Sequence, residues 1–130
     1  MFIIDLEKAI HDEYHDYYTY KYLEKMTDNT MFQHFINHAK EDERTHYEMF
    51  QQLYYMLTGR FVQNLVKPDK PTNFHETVKK SLENELHATD FYKEMFLEIP
   101  IPQAYAPMFI AMHDEMEHAI RFSTIYNARQ

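Results

Sequence analysis

All five prolines and the single glycine of this 130-residue chain lie between residues 59 and 107, which leaves long segments without either helix breaker. One glycine is far below the usual share of about 7% and argues against β-hairpins, phosphate-binding glycine loops and Rossmann turns. A softer break is the polar run 27–30. Between the breaks lie four stretches, at about 2–26, 31–57, 74–98 and 104–127. Each is long enough for a helix of ~37 Å.

Apolar residues in all four stretches recur at spacings of three and four, the pattern of a helix that packs along one face. None of the stretches alternates with the period of two that a strand requires. Asn73 is placed to cap the third helix, and Gly59 to end the second. We therefore predict an all-α fold with a single domain over residues 1–130, built as a four-helix bundle.

Charged residues interrupt each apolar face near its middle, where a buried position is expected. The interrupting residues are Glu13, Glu43, His46, Glu85, Glu115 and His118. They form three pairs that are each 72 positions apart, and several neighbours share this offset. The neighbouring pairs include His15/His87, Tyr20/Tyr92 and Asp42/Asp114. The chain thus has the pattern of a duplicated helical hairpin with pseudo-twofold symmetry.

The positions of the glutamates relative to the turns predict their height in the bundle. Glu13 and Glu43 are equidistant from Asp28 in the first turn, and Glu85 and Glu115 are equidistant from Pro100 in the second. Residues equidistant from the turn of an antiparallel hairpin lie side by side, so each hairpin presents two glutamates and a histidine at one level. The connector of 16 residues, 58–73, can extend ~50 Å. It is therefore predicted to be a long crossover loop that lets helices two and three run parallel.

Glu43 and His46, like Glu115 and His118, stand three residues apart and can offer one carboxylate and one imidazole to the same ion. Four carboxylates match the charge of two divalent cations, and without cations they would repel one another. Oxygen and imidazole donors without thiolate suit iron or manganese, with zinc as a possible substitute. A single buried glutamate or histidine is most often a satisfied polar core group; the shared register and offset favour a metal site.

Other polar residues near these positions have simpler interpretations. His15 is about 200° around the helix from Glu13 and is predicted to be solvated. Tyr20 and Tyr92 lie on the same helix faces as the glutamates, and their hydroxyls are predicted to reach a carboxylate.

The order Glu, Glu-x-x-His, Glu, Glu-x-x-His on four helices resembles the ferritin-like di-metal carboxylate proteins. The segments ENELHATDFYKEMF and HDEMEHAIRF are most similar to the rubrerythrin branch, but these residues include no cysteine-ligated rubredoxin domain. Ala88 stands where rubrerythrins carry a further carboxylate, so the ligand set is closer to that of bacterioferritin ferroxidase centres. The resemblance implies a ferritin-like bundle in which Glu43 and Glu115 are terminal ligands and Glu13 and Glu85 bridge.

By the same resemblance, the six residues Glu13, Glu43, His46, Glu85, Glu115 and His118 would be the metal ligands and the catalytic residues. They would hold two iron ions and react an Fe(II) pair with O₂ or H₂O₂, as a ferroxidase-type oxidoreductase supplied by an external electron donor. One alternative is an enzyme similar to manganese catalase. Another is a structural helical-bundle protein with a vestigial metal site.

The formal net charge of −8 argues against nucleic acid or an anionic membrane surface as a partner. The chain has no apolar run of 18 residues and no basic region at its start, which predicts a cytoplasmic protein. The absence of cysteine excludes disulfides and thiolate sites. Helical aromatic residues expected to be exposed, Phe2, Tyr54 and Tyr55, predict a homodimer.

Overall fold

A computed structural model of the chain describes residues 1–128. Its four long helices are α1 (Phe2–Glu24), α2 (Thr30–Thr58), α3 (Phe74–Leu97) and α4 (Tyr105–Asn127), with a 3₁₀ turn at Pro102–Ala104 before α4. There is no strand within these residues. The predicted helix boundaries are confirmed to within two residues, and so is the all-α four-helix bundle.

Local sequence signals set the ends of α2 and α3. The side chain of Asn29 accepts a hydrogen bond from the backbone N–H of Phe32 at 3.0 Å, and Asn73 accepts one from Glu76 at 2.9 Å. These caps satisfy backbone donors that a helix start leaves unpaired. Gly59 ends α2 in the left-handed conformation with φ of 77°, which side chains larger than hydrogen disfavour.

The chain folds as two antiparallel hairpins, α1–α2 and α3–α4, that pack against each other. One apolar cluster joins the beginnings of α1 and α4 to the ends of α2 and α3. A second cluster joins the opposite ends of the four helices. Helices α2 and α3 therefore run parallel, as predicted, and the segment 59–73 crosses the length of the bundle between them.

The crossover segment is fixed to the bundle close to its beginning. The side chain of Gln51 on α2 donates to the carbonyl of Val62 at 2.9 Å and accepts from the N–H of Val62 at 2.8 Å. Farther along, the ammonium group of Lys67 lies 4.6 Å from the ring centre of Tyr18 on α1. The crossover therefore follows α1 along the bundle.

Two of the three aromatic residues expected on the surface are buried. Phe2 and Tyr54 are 8% and 6% exposed, and both belong to the first apolar cluster; Tyr55 is 49% exposed. Phe2 lies one turn before Leu6 on the packed face of α1, and the Tyr54 hydroxyl reaches Glu7 at 3.2 Å while its ring packs inward. The expectation of exposure was therefore wrong for Phe2 and Tyr54. Among residues 1–128, none of the helices combines the length and the apolar character that a membrane span requires.

Candidate metal centre

A polar layer separates the two apolar clusters at the middle of the bundle. It contains all six residues that interrupt the apolar helix faces, and each of them is 0% exposed: Glu13, Glu43, His46, Glu85, Glu115 and His118. The six side chains meet at a common height, as their distances from the turns predicted. Without compensation, such a concentration of ionisable groups in an apolar interior would be strongly destabilising.

These residues form two overlapping groups that can each hold a metal ion. In each group, one nitrogen or oxygen atom from every residue lies within 4.8 Å of the others. The first group is Glu13, Glu43, His46 and Glu115, and the second is Glu43, Glu85, Glu115 and His118. Each group thus combines three carboxylates with one imidazole, and Glu43 and Glu115 belong to both.

The shared position of Glu43 and Glu115 favours ligand roles other than those that the family resemblance implied. Glu13 and Glu85 were expected to bridge, but each of them belongs to one group only. The reason is the packing of the helices, because α2 packs more closely against α4 than α1 does against α3. Glu43 and Glu115 therefore face each other at the centre, and an oxygen of each lies 3.3 Å from Nδ1 of His46.

Each histidine is held in place by an aspartate from the other hairpin. Nε2 of His46 donates to Asp114 at 2.8 Å, and Nε2 of His118 donates to Asp42 at 2.8 Å. Because an ionised carboxylate only accepts hydrogen bonds, Nε2 carries a hydrogen. Nδ1 faces the glutamates, and it lies 2.9 Å from Glu13 in His46 and 3.2 Å from Glu85 in His118. An aspartate behind a histidine in this way orients the ring and makes it a better metal ligand.

The sequence pattern did not predict this role for Asp42 and Asp114. The two residues nevertheless share the offset of 72, and each directly precedes a glutamate of the centre. The shared offset could have predicted this role. In a duplicated site, a residue that orients a ligand in one half is expected at the corresponding position of the other half.

Two tyrosines hold the outer glutamates, as predicted. The hydroxyl of Tyr92 on α3 donates to Glu13 at 2.8 Å, and the hydroxyl of Tyr20 on α1 donates to Glu85. Each of these hydrogen bonds joins one hairpin to the other. His15, by contrast, is 52% exposed and lies outside the centre, in agreement with the prediction that it is solvated.

The carboxylate oxygens of Glu43 and Glu115 are fully buried and accept no well-oriented hydrogen bond from any residue in 1–128. The Nδ1 atoms of His46 and His118 lie 3.3 and 3.4 Å from an oxygen of each glutamate. An unsatisfied buried acceptor costs about 1–3 kcal/mol, and a charged one costs more. A cation between the two carboxylates would satisfy all four oxygens. The donor set therefore fits a metal ion in the place where the protein itself supplies no well-oriented hydrogen-bond donor.

Burial and mutual repulsion make this cluster retain protons when no cation is present. Burial raises the pKa of Glu13 well above its ordinary value, with repulsion from Glu43 and Glu115 adding to the effect. Burial, together with Glu115, raises the pKa of Glu85 to about 8. For His46, burial alone would lower the pKa, but Glu13 and the hydrogen bond to Asp114 raise it well above normal. Binding of a cation must displace these protons.

Comparisons with known proteins agree with the fold and add no activity. No family model matches the chain. Its sequence is 27% identical over 120 residues to the uncharacterized protein YhjR of Bacillus subtilis (strain 168), covering 92% of this chain and 83% of that one. Its structure is similar to that of the hypothetical protein Pfu-1136390-001 from Pyrococcus furiosus, with a TM-score of 0.84, 17% identity, and coverage of 97% and 88%. The fold and the site together define a four-helix bundle with a buried carboxylate–histidine centre that can hold metal ions.

Proposed function

We propose that this protein is a di-iron oxidoreductase of the ferritin-like type. The observation that carries the proposal is the pair of overlapping ligand groups, in which Glu43 and Glu115 are buried, shared and without a well-oriented hydrogen-bond donor in residues 1–128. Four carboxylates carry a charge of −4, and two divalent cations would neutralise it while the histidines remain neutral. With one cation in each group, each of the six side chains would contact at least one cation.

The residues around the ligands support binding of two cations at fixed positions. Asp42 and Asp114 orient the histidines from outside, and Tyr20 and Tyr92 hold the outer glutamates. The apolar clusters above and below exclude water from the layer. Such outer partners commonly contribute a factor of about 10–100 to metal affinity.

Oxygen and imidazole donors without thiolate suit iron and manganese. A bound pair of Fe(II) ions supplies two electrons for the reduction of O₂ or H₂O₂, which is the ferroxidase-type activity that we propose for this chain. The chain contributes a buried pocket that keeps the reaction from bulk water, and a set of carboxylates whose charge favours the oxidised ions. An external electron donor would return the centre to its reduced state.

Anaerobic titration of the metal-free protein with Fe(II), followed by mixing with O₂ or H₂O₂, tests this proposal. We expect two Fe(II) per chain and a new near-ultraviolet absorption band after either oxidant. The double variant Glu43→Gln/Glu115→Gln should lose both the Fe(II) binding and the absorption band. The control Glu48→Gln/Glu94→Gln changes two exposed glutamates and should keep the binding and the band.

Three results would contradict the proposal. Failure of the wild-type protein to bind Fe(II) would support a structural role with a vestigial site. Rapid disproportionation of H₂O₂ by the manganese-loaded protein, with slow reaction of the iron form, would support a catalase. Binding of two Fe(II) ions without oxidation by either oxidant would leave a metal-binding protein that is not an oxidoreductase.

A further inference from the structure

A cleft of about 470 Å³ opens between α1 and α3, on the side of the bundle where the helices pack least closely. Tyr92 lines this cleft and is 1% exposed, so it marks the inner end. Its hydroxyl donates to Glu13 at 2.8 Å. The inner end of the cleft is therefore one hydrogen bond away from a glutamate of the centre.

The two walls of the cleft differ at one pair of positions related by the repeat. Asp16 follows Glu13 by one turn on α1, and Ala88 follows Glu85 by one turn on α3, 72 positions after Asp16. Both residues line the cleft. One wall thus carries a carboxylate, and the short side chain opposite leaves space in front of it. On the α2–α4 side, the repeat is symmetric, because Asp42 and Asp114 are both present and both bond to histidines.

Asp16 is placed between water and the centre. Its side chain is 16% exposed, and its polar contact is with Nδ1 of His15 at 3.5 Å. Burial, with the charges of Glu85 and Glu115 adding, raises the pKa of Asp16 to about 7. A cation that arrives at Asp16 meets a carboxylate oxygen before it reaches the glutamates farther in, and it displaces the proton that competes for this oxygen.

The mouth of the cleft carries both signs of charge. His15 and His87, which are related by the same offset, line it from α1 and α3. Lys8 also lines it, and its ammonium group is 2.6 Å from the carboxylate of Asp12. Asp16 is the carboxylate that lies farther along the path to Tyr92.

We propose that divalent cations enter the metal centre through the α1–α3 cleft, and that Asp16 is the carboxylate that takes the cation from water on its way in. This inference rests on the proposed metal-binding function. Asp16 belongs to neither ligand group, so its effect is on the rate of loading and not on the number of ions held.

Rapid mixing of the metal-free protein with Co²⁺, followed by the visible absorption of the bound ion, measures the rate and the final stoichiometry separately. The isosteric variant Asp16→Asn should load about tenfold more slowly, the lower end of what electrostatic focusing contributes to association rates. It should still bind two Co²⁺ per chain. The variant Asp90→Asn removes the same charge from an exposed position of α3 and should load at the wild-type rate.

A second pair of variants tests the route itself. Ala88→Phe fills the space opposite Asp16 and should slow loading strongly while the final stoichiometry stays at two. Leu86→Phe places a ring on the exposed side of the same helix, where Leu86 is 53% exposed, and should not change the rate.

The outcomes separate this inference from the proposed function. Wild-type protein that binds no Co²⁺ contradicts the metal centre itself. Normal stoichiometry with unchanged rates in Asp16→Asn and Ala88→Phe overturns the entry route alone. Should Ala88→Phe fail to fold, the isosteric Asp16→Asn decides: an unchanged rate, or a rate lowered equally in Asp90→Asn, overturns the proposal.

Discussion

Among single residues, Glu43 and Glu115 are the ones whose burial most needs to be compensated. Their four carboxylate oxygens are buried and accept no well-oriented hydrogen bond within the described chain. Repulsion from these two glutamates also raises the pKa of Glu13. The folded state therefore carries an electrostatic cost at its centre that a cation, or a proton, must offset.

Replacing one of these glutamates by its neutral isostere should separate stability from metal binding. We expect Glu43→Gln to raise the free energy of unfolding of the metal-free protein by about 1–3 kcal/mol, because it replaces a buried carboxylate that repels Glu13 with a neutral amide of nearly the same volume. The stabilisation by saturating Co²⁺ should fall at the same time. Urea denaturation with a chelator and with Co²⁺ measures both quantities.

The exposed Glu94→Gln on α3 is the control for this experiment and should change neither quantity. A Glu43→Gln protein that is less stable than the wild type in the presence of chelator would show that the glutamate has a partner and that no cation is needed there.

Asp42 and Asp114 act one step farther out, through the histidines that they orient. We expect Asp114→Asn to weaken Co²⁺ binding by about 10–100-fold, because the amide holds the His46 ring less firmly and makes it a weaker donor. Equilibrium titration monitored by absorption provides the measurement. Asp28→Asn in the exposed first turn should bind as the wild type does, and equal weakening in both variants would refute a specific role for Asp114.

The sequence predicted the position of the centre along the bundle better than it predicted which glutamates are bridging ligands and which are terminal ligands. Equal distances of Glu13 and Glu43 from the first turn were enough to place them at one height. The choice between bridging and terminal ligands depends on which helices pack together across the centre, and spacing along one chain does not contain that information. The bridging roles of Glu13 and Glu85 therefore stay a prediction that the grouping of the side chains does not favour. The hydrogen bonds of Asp42 and Asp114 to the histidines were not predicted.

At the scale of the helices, the crossover segment 59–73 decides the topology. Its length alone predicted that α2 and α3 run parallel, because a short turn cannot join the far ends of two helices. The way in which it is fixed was not predictable. The contact of Gln51 with Val62 joins a helix to a loop eleven positions later and exists only once the chain has turned at Gly59.

The two hydrogen bonds of Gln51 should be measurable in the stability of the protein. We expect Gln51→Ala to lower the free energy of unfolding by about 1–3 kcal/mol, because both backbone groups of the buried Val62 lose their partner. Its neighbour Gln52 is exposed, and Gln52→Ala should have little effect on urea denaturation. Equal effects of the two changes would mean that the crossover is held elsewhere.

At the scale of the whole molecule, the clustered ionisable groups predict how stability depends on pH. The pKa of Glu85 is about 8 in the folded protein and has an ordinary value of 4.5, so the folded state keeps a proton that the unfolded state releases. The pKa of His46 and that of His118 are also raised above 6.5. All three shifts mean that the metal-free folded state binds more protons than the unfolded state.

The free energy of unfolding of the metal-free protein should therefore fall as the pH rises from about 4.5 towards 8. Saturating Co²⁺ should reverse this trend, because the ion binds the deprotonated ligands. Thermal denaturation across this range, with chelator and with Co²⁺, gives the two slopes. Glu85→Gln should flatten the slope in chelator; a wild-type stability that rises with pH in chelator would contradict the proton retention of the centre.

The two hairpins of the 72-residue repeat hold each other's side chains in place. Each hairpin carries one buried histidine of the candidate centre, but the aspartate that orients that histidine lies on the other hairpin. The tyrosines that hold Glu13 and Glu85 also lie on the opposite hairpin. Neither half can assemble a complete coordination sphere by itself. Two fragments separated within the crossover would thus be complementary halves, and divalent cations would drive their reassociation.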